Sequence, residues 1–120
     1  MGTTKVTVTV RNPAQPERTW EGLFLVDPAT VNCLVQAKHL RAIGLEPQGK
    51  RRCVEADGTE VERDVAGVQV EFMGDVTCST AIFADDNAEP VLGLTALESV
   101  GIEVDPRTQR LRRRSAVRLK

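Results

Sequence analysis

The chain has no tyrosine, and Trp20, Phe24, Phe72 and Phe83 are its only aromatic rings in 120 residues. So few rings cannot supply the stacking platforms that hold single-stranded nucleic acid, and the core has to come from Val, Leu, Ile and Ala. There is a single histidine, His39, and the three cysteines (Cys33, Cys53, Cys78) stand far apart with no Cys-x-x-Cys pair. That inventory argues against a dedicated zinc site and against a disulfide framework. Cys33 and Cys78 read as small core residues, Cys53 as a thiol without an activating partner, and His39 as a surface or helix residue. No 18-residue apolar run is present to span a membrane, and Met1-Gly2-Thr3-Thr4-Lys5 lacks the apolar stretch of a signal peptide. The expectation is a cytoplasmic protein with free thiols, no cofactor and no membrane partner.

Acidic residues are also missing, but only locally. Residues 1–106 hold all 17 acidic side chains against nine basic ones, whereas residues 107–120 hold seven basic and none acidic. The overall charge of −1 conceals that division. A basic end can attract nucleic acid or an acidic surface, here through Arg112-Arg113-Arg114. It can equally be a solvated tail or an edge strand protected by charge against aggregation. The expected division of the chain is a domain over 1–111 and a basic strand or tail over 112–120.

What is present is mostly period-two patterning. Lys5-Val6-Thr7-Val8-Thr9-Val10 alternates as a half-buried strand, and Asn12-Pro13-Ala14-Gln15-Pro16 reads as a loop. Trp20 to Val26 is a second strand, nearly continuous in apolar character and so central. Residues 33–43 suit a helical turn or two closed by Gly44. Strands over 51–56 and 60–70 flank Ala56-Asp57-Gly58-Thr59, where Asp-Gly is a hairpin signal. Gly67 suggests a bulge or bend in the second arm. Met73-Gly74-Asp75 is a turn before a strand over 76–83, and Asp85-Asp86-Asn87 an exposed loop. Val91-Leu92 is a short buried strand, followed by a helix over 95–100 with Thr95 as N-cap and Glu98 at the capping-box position. Strands over 102–104 and 110–113 surround a turn at 105–108. The pattern predicts a mainly β, closed or partly open barrel with one or two short helices.

The residue most demanding of explanation is Asp27, a carboxylate ending the apolar run Leu23-Phe24-Leu25-Val26. A charge there must be solvated in a cleft or held by hydrogen bonds, because isolated burial is costly. Glu89-Pro90-Val91-Leu92-Gly93-Leu94 repeats the pattern without the acid. In order along the chain stand Leu25-Val26-Asp27, Ile43-Gly44-Leu45, Ala56-Asp57-Gly58, Val91-Leu92-Gly93 with Leu97, and Val104-Asp105-Pro106-Arg107-Thr108-Gln109-Arg110-Leu111. This order and spacing resemble the retropepsin-like aspartic proteases of the bacterial single-domain type, over about residues 5–111. The resemblance implies the acid-protease β-barrel and a homodimer in which Asp27 of each subunit forms a dyad sharing one proton and activating a water. It further implies a hairpin flap at Ala56, Asp57 and Gly58, an apolar-Gly support at Val91, Leu92 and Gly93, no metal, and a polypeptide substrate. Asp57 itself reads as a turn residue.

The chain departs from the family beside the acid itself. Pro28 falls on the family's Thr or Ser and Ala29 on its Gly. By resemblance, that Thr gives a hydroxyl and an N–H to a lock between the two active-site loops, and proline has neither donor. Ala29 keeps its N–H but adds a methyl and disfavours positive φ. Thr30 and Asn32 offer polar groups displaced along the loop. Two readings follow: an aspartic endopeptidase, or a catalytically silent domain of the same fold serving in dimerisation or peptide binding.

Overall fold

The computed structural model describes residues 4–117 and 119. Strands β1 (Lys5–Asn12) and β2 (Gln15–Asp27) form an antiparallel hairpin in which Val8 faces Gly22 and Val10 faces Trp20. Alternation puts Val8 and Val10 wholly inside, with Phe24 and Val26 beside them. The expected loop at 12–16 is shorter than its two prolines suggest. Only Pro13 and Ala14 turn, because the Asn12 side chain accepts from Ala14 N–H at 2.9 Å and donates to the Ile43 carbonyl at 2.9 Å. Gln15 and Pro16 belong to β2.

Residues 33–43 correct the helical expectation in their first half. Cys33–Gln36 is a strand, β3, and only Ala37–Ala42 is helical, as α1. Cys33 and Val35 are buried while Leu34 and Gln36 are partly exposed, which is the period of a strand, and β3 lies parallel to Cys33's partner strand β6 (Asp75–Ala84). The helix ends as expected at Gly44, whose φ is +87°. Gly44 N–H donates to the Arg41 carbonyl at 2.9 Å and Leu45 N–H to the Leu40 carbonyl at 3.0 Å, the two bonds of a Schellman motif.

The long central hairpin is built from β4 (Gly49–Val54) and β5 (Glu60–Phe72). Gly67 makes no bulge, since β5 pairs with β6 without a register shift from Val65 to Phe72. It sits instead where the other edge of β5 changes partner, from β4 up to Val65 to β1 from Gln69 onward. Its N–H, left between the two ladders, donates to the Gln48 side chain at 2.8 Å. The β5–β6 turn has both central residues at positive φ, Met73 at 53° and Gly74 at 84°, the handedness that suits a two-residue hairpin. Cys78 corrects its assignment to the core: it lies on the outer face of β6 with Val76 and is exposed, while Ala81 and Phe83 point inward.

Strand β7 (Val91–Gly93) leads into α2 (Leu94–Ser99), and β8 (Ile102–Val104) pairs with β9 (Leu111–Arg113). Thr95 is not the cap of α2. Gly93 occupies that position without a side-chain bond, and backbone carbonyls of a neighbouring loop replace the expected capping box. The molecule is mainly β, with seven strands in the order β1-β2-β7-β3-β6-β5-β4 and a further pairing of β1 with β5 over residues 9–11. Val68, Val70, Phe72, Leu92 and Leu97 complete the core around Phe24. Among the described residues no helix is long and apolar enough to cross a membrane.

Candidate functional site

Asp27 closes β2, where the strand passes from its ladder with β1 to a parallel ladder with β7 that sets Asp27 opposite Gly93. The side chain is only half-buried. Both carboxylate oxygens accept hydrogen bonds: Oδ1 from the Ala29 N–H at 3.0 Å and Oδ2 from the Thr30 hydroxyl at 2.9 Å. The Thr30 N–H also donates to the Asp27 carbonyl at 3.1 Å, so residues 27–30 form a β-turn. Asp is favoured at the first place of such a turn and Pro at the second, where no N–H is required. Pro28 and Ala29 are therefore what the local geometry takes. Ala29 is not at positive φ, and both residues are exposed.

The loop is fixed from its far side by the start of α2. Leu94 N–H donates to the Thr30 carbonyl at 2.7 Å and Thr95 N–H to the Val31 carbonyl at 3.2 Å, using N–H groups a helix start leaves free. Gly93 allows this approach. A Cβ there would lie 2.7 Å from the Asn32 carbonyl carbon and 2.8 Å from the Thr30 oxygen. Val91, Leu92 and Gly93 thus run beside Leu25, Val26 and Asp27 in turn.

The tip at Ala56, Asp57 and Gly58 is exposed and held by its own bonds. Gly58 has φ +89° and donates to the Glu55 carbonyl at 2.9 Å, and Glu55 N–H donates to the Thr59 carbonyl at 2.8 Å. The Thr59 backbone N–H on Asp57, at 2.9 Å, holds that carboxyl below the ordinary carboxylate range, as a turn residue. Between the hairpin and the body is a cleft of about 630 Å³. Thr30 lines it, with its hydroxyl on Asp27, which is not itself part of the lining; Leu34, Val54 and Ile82 add apolar surface, and Glu55, Arg63 and Asp85 add charge.

Three of these groups are not singled out by the sequence pattern. Arg63 donates to both oxygens of Asp85, at 2.8 and 3.1 Å, and to Glu55 at 2.8 Å. The hydrogen bonds hold Asp85 below its usual range and keep Arg63 firmly protonated. Arg51 reaches the Asn32 side chain at 3.1 Å. Counting outward from Asp57 in both directions makes Arg51 and Arg63 opposite neighbours, so the hairpin register carried the signal.

Among the remaining candidates, Cys33 is buried against Ser79 at 3.6 Å, and burial pushes its thiol pKa up. Cys53 is half-buried on the cleft side of the hairpin. His39 stacks on Trp20 with ring centres 4.0 Å apart, away from the cleft. Its pKa is lowered mainly by desolvation. No cluster of three or more His, Cys, Asp or Glu side chains suited to a metal occurs among the described residues. In the basic end, Arg112 pairs with Glu103 at 3.0 Å, Arg114 with Glu103 at 3.1 Å, and Arg113 with Asp75. Arg118 and Lys120 of that segment lie outside the described residues. No family model matches this chain, and no curated protein matches it significantly.

Proposed function

We propose that the chain is a retropepsin-like aspartic endopeptidase domain, a barrel closed between β1 and β5, which works as a homodimer. One observation carries this reading: Asp27 is a half-buried carboxylate held at both oxygens by its own loop, and the Thr30 that bonds it lines a cleft bordered by the hairpin. A second Asp27 across a two-fold axis would complete a dyad in which one carboxyl stays protonated as acid and the other acts as base toward a water. The substrate is an extended polypeptide, with apolar side chains against Leu34, Val54 and Ile82. Val31 and Val54 are 60% and 70% exposed, apolar surface that a second subunit or a peptide would cover. The test is turnover of an unfolded polypeptide between about pH 4 and pH 7, comparing wild type with Asp27→Asn. Loss of cleavage in the variant is expected, and equal background rates in both would overturn the reading.

A silent dimerisation or peptide-binding domain is the second reading, and a specific contact favours it. The Thr30 hydroxyl donates its one proton to Asp27 of its own chain, and Pro28 has no donor for a partner loop. The double change Pro28→Thr and Ala29→Gly separates the two: acid-protease activity appearing only in that variant assigns the natural chain to the silent form. The acidic partners of Arg112, Arg113 and Arg114 reduce the charge available for a nucleic-acid role.

A further inference from the structure

The two faces of the β4–β5 hairpin follow opposite charge rules. On the outer face Lys50 stands opposite Asp64, bonded at 3.1 Å, and Arg52 stands opposite Glu62 and pairs diagonally with Glu60 at 3.6 Å. Such cross-strand opposite charges support a hairpin by themselves. On the inner face Arg51 stands directly opposite Arg63. Two cations at that spacing destabilise an isolated hairpin. Their acceptors outside the hairpin are on the body: Asn32 in the loop after Asp27 for Arg51, and Asp85 in the turn after β6 for Arg63. The hairpin beyond Val65 has no ladder to β6, so these side chains are its polar anchors on the two loops flanking the cleft.

We propose that Arg51 and Arg63 form a two-armed latch that positions the hairpin over the cleft. Within the hairpin Glu55 answers only Arg63, and docking adds a hydrogen bond from Arg51 to Asn32 and an ion pair from Arg63 to Asp85, so the closed position offsets the repulsion of the two opposed cations. Glu55 shares the Arg63 guanidinium from within the hairpin and orients it toward Asp85. These are positioning residues, since neither arginine bonds to Asp27. Their role in substrate handling rests on the protease reading, whereas the latch itself does not.

The three cysteines provide the measurement. Cys53 faces the cleft from the hairpin, Cys78 is exposed on β6, and Cys33 is buried in the core. Alkylation of the native full-length chain with a small maleimide, mapped by mass spectrometry, reads hairpin opening at Cys53. Cys78 controls for reagent and Cys33 for global unfolding. Arg63→Ala and Asp85→Asn should each speed Cys53 labelling roughly fivefold, with Cys78 unchanged and Cys33 protected. Arg63→Lys should stay near wild type, and about 1 M salt should move wild type toward the variants. Removing Arg63 takes a cation from the thiol's surroundings and neutralising Asp85 takes an anion away, so simple electrostatics would shift the two rates in opposite directions. An unchanged Cys53 rate, opposite shifts in the two variants, or a rise shared with Cys33 would overturn the latch. Failure of the protease reading would appear separately, as absent turnover with Cys53 still responding. Where turnover occurs, both variants should raise KM more than they lower kcat.

Discussion

At the scale of single residues, the support of Asp27 depends on a hydroxyl, an N–H and one missing methyl group. Thr30→Val removes the donor to Oδ2 while keeping the shape of the side chain, so unfolding in urea should show a loss of about 1 kcal/mol, and Thr30→Ser should recover most of it. Gly93→Ala places a Cβ against backbone of the Asp27 loop rather than a flexible side chain. The loop must shift, and a loss of about 2 kcal/mol is expected. Asn12 is the one buried polar residue among those described, with both ends of its amide engaged. Asn12→Ala should cost roughly 2 kcal/mol by stranding the Ile43 carbonyl and freeing the Pro13-Ala14 turn. Asp27 was identifiable from sequence because an acid ends an apolar run. The roles of Thr30 and Gly93 required knowing which backbone passes beside them.

Among the elements, the β5–β6 turn invites a stabilising change. Met73 holds a left-handed conformation at φ 53° with its side chain 40% exposed. Met73→Asn should therefore raise stability by roughly 0.5–1 kcal/mol, seen as a higher melting temperature with an unchanged fold. Strand 5–10 was legible because one face is solvated and the alternation is clean, and strand 60–70 because the Asp57-Gly58 turn precedes it, although its buried positions change parity at Val65 and Ala66. The segment at 33–43 was not, because four residues cannot show whether Cys33, Val35 and Leu40 follow period two or 3.6. Packing decides it, since Cys33 and Val35 face inward alongside Ala81 and Phe83 of β6. The cap of α2 is not legible in the sequence for a related reason. A capping box is a local device, whereas here the carbonyls of Thr30 and Val31, distant in sequence, take its place.

For the whole molecule, the basic end is tied to the body by charge more than by buried apolar area. Hydrogen bonds from Arg112 and Arg114 hold the Glu103 carboxyl below its ordinary value of 4.5. A carboxyl whose folded pKa is depressed adds stability above its unfolded pKa and loses it as pH falls through the folded value. Wild type should therefore lose melting temperature below about pH 4.5, and Glu103→Gln should flatten part of that decline. Light scattering on the full chain should give twice the chain mass under the protease reading, in wild type and in Asp27→Asn alike.

The sequence by itself determined the mainly β class, the central position of the strand ending at Asp27, the Asp57-Gly58 turn and the glycine end of the first helix. Each is set by neighbours within a few residues, through alternation, a positive φ or a missing donor. Only the tertiary structure decided that the Thr30 hydroxyl is the one that reaches Asp27, and that Gly93 admits the loop backbone. It also decided that Arg51 and Arg63 face the body on the same side of a hairpin. These are meetings of segments far apart in the chain, fixed by which strand lies beside which. The like charges on one face of β4–β5 find acceptors in Asn32 and Asp85 only once the sheet has folded.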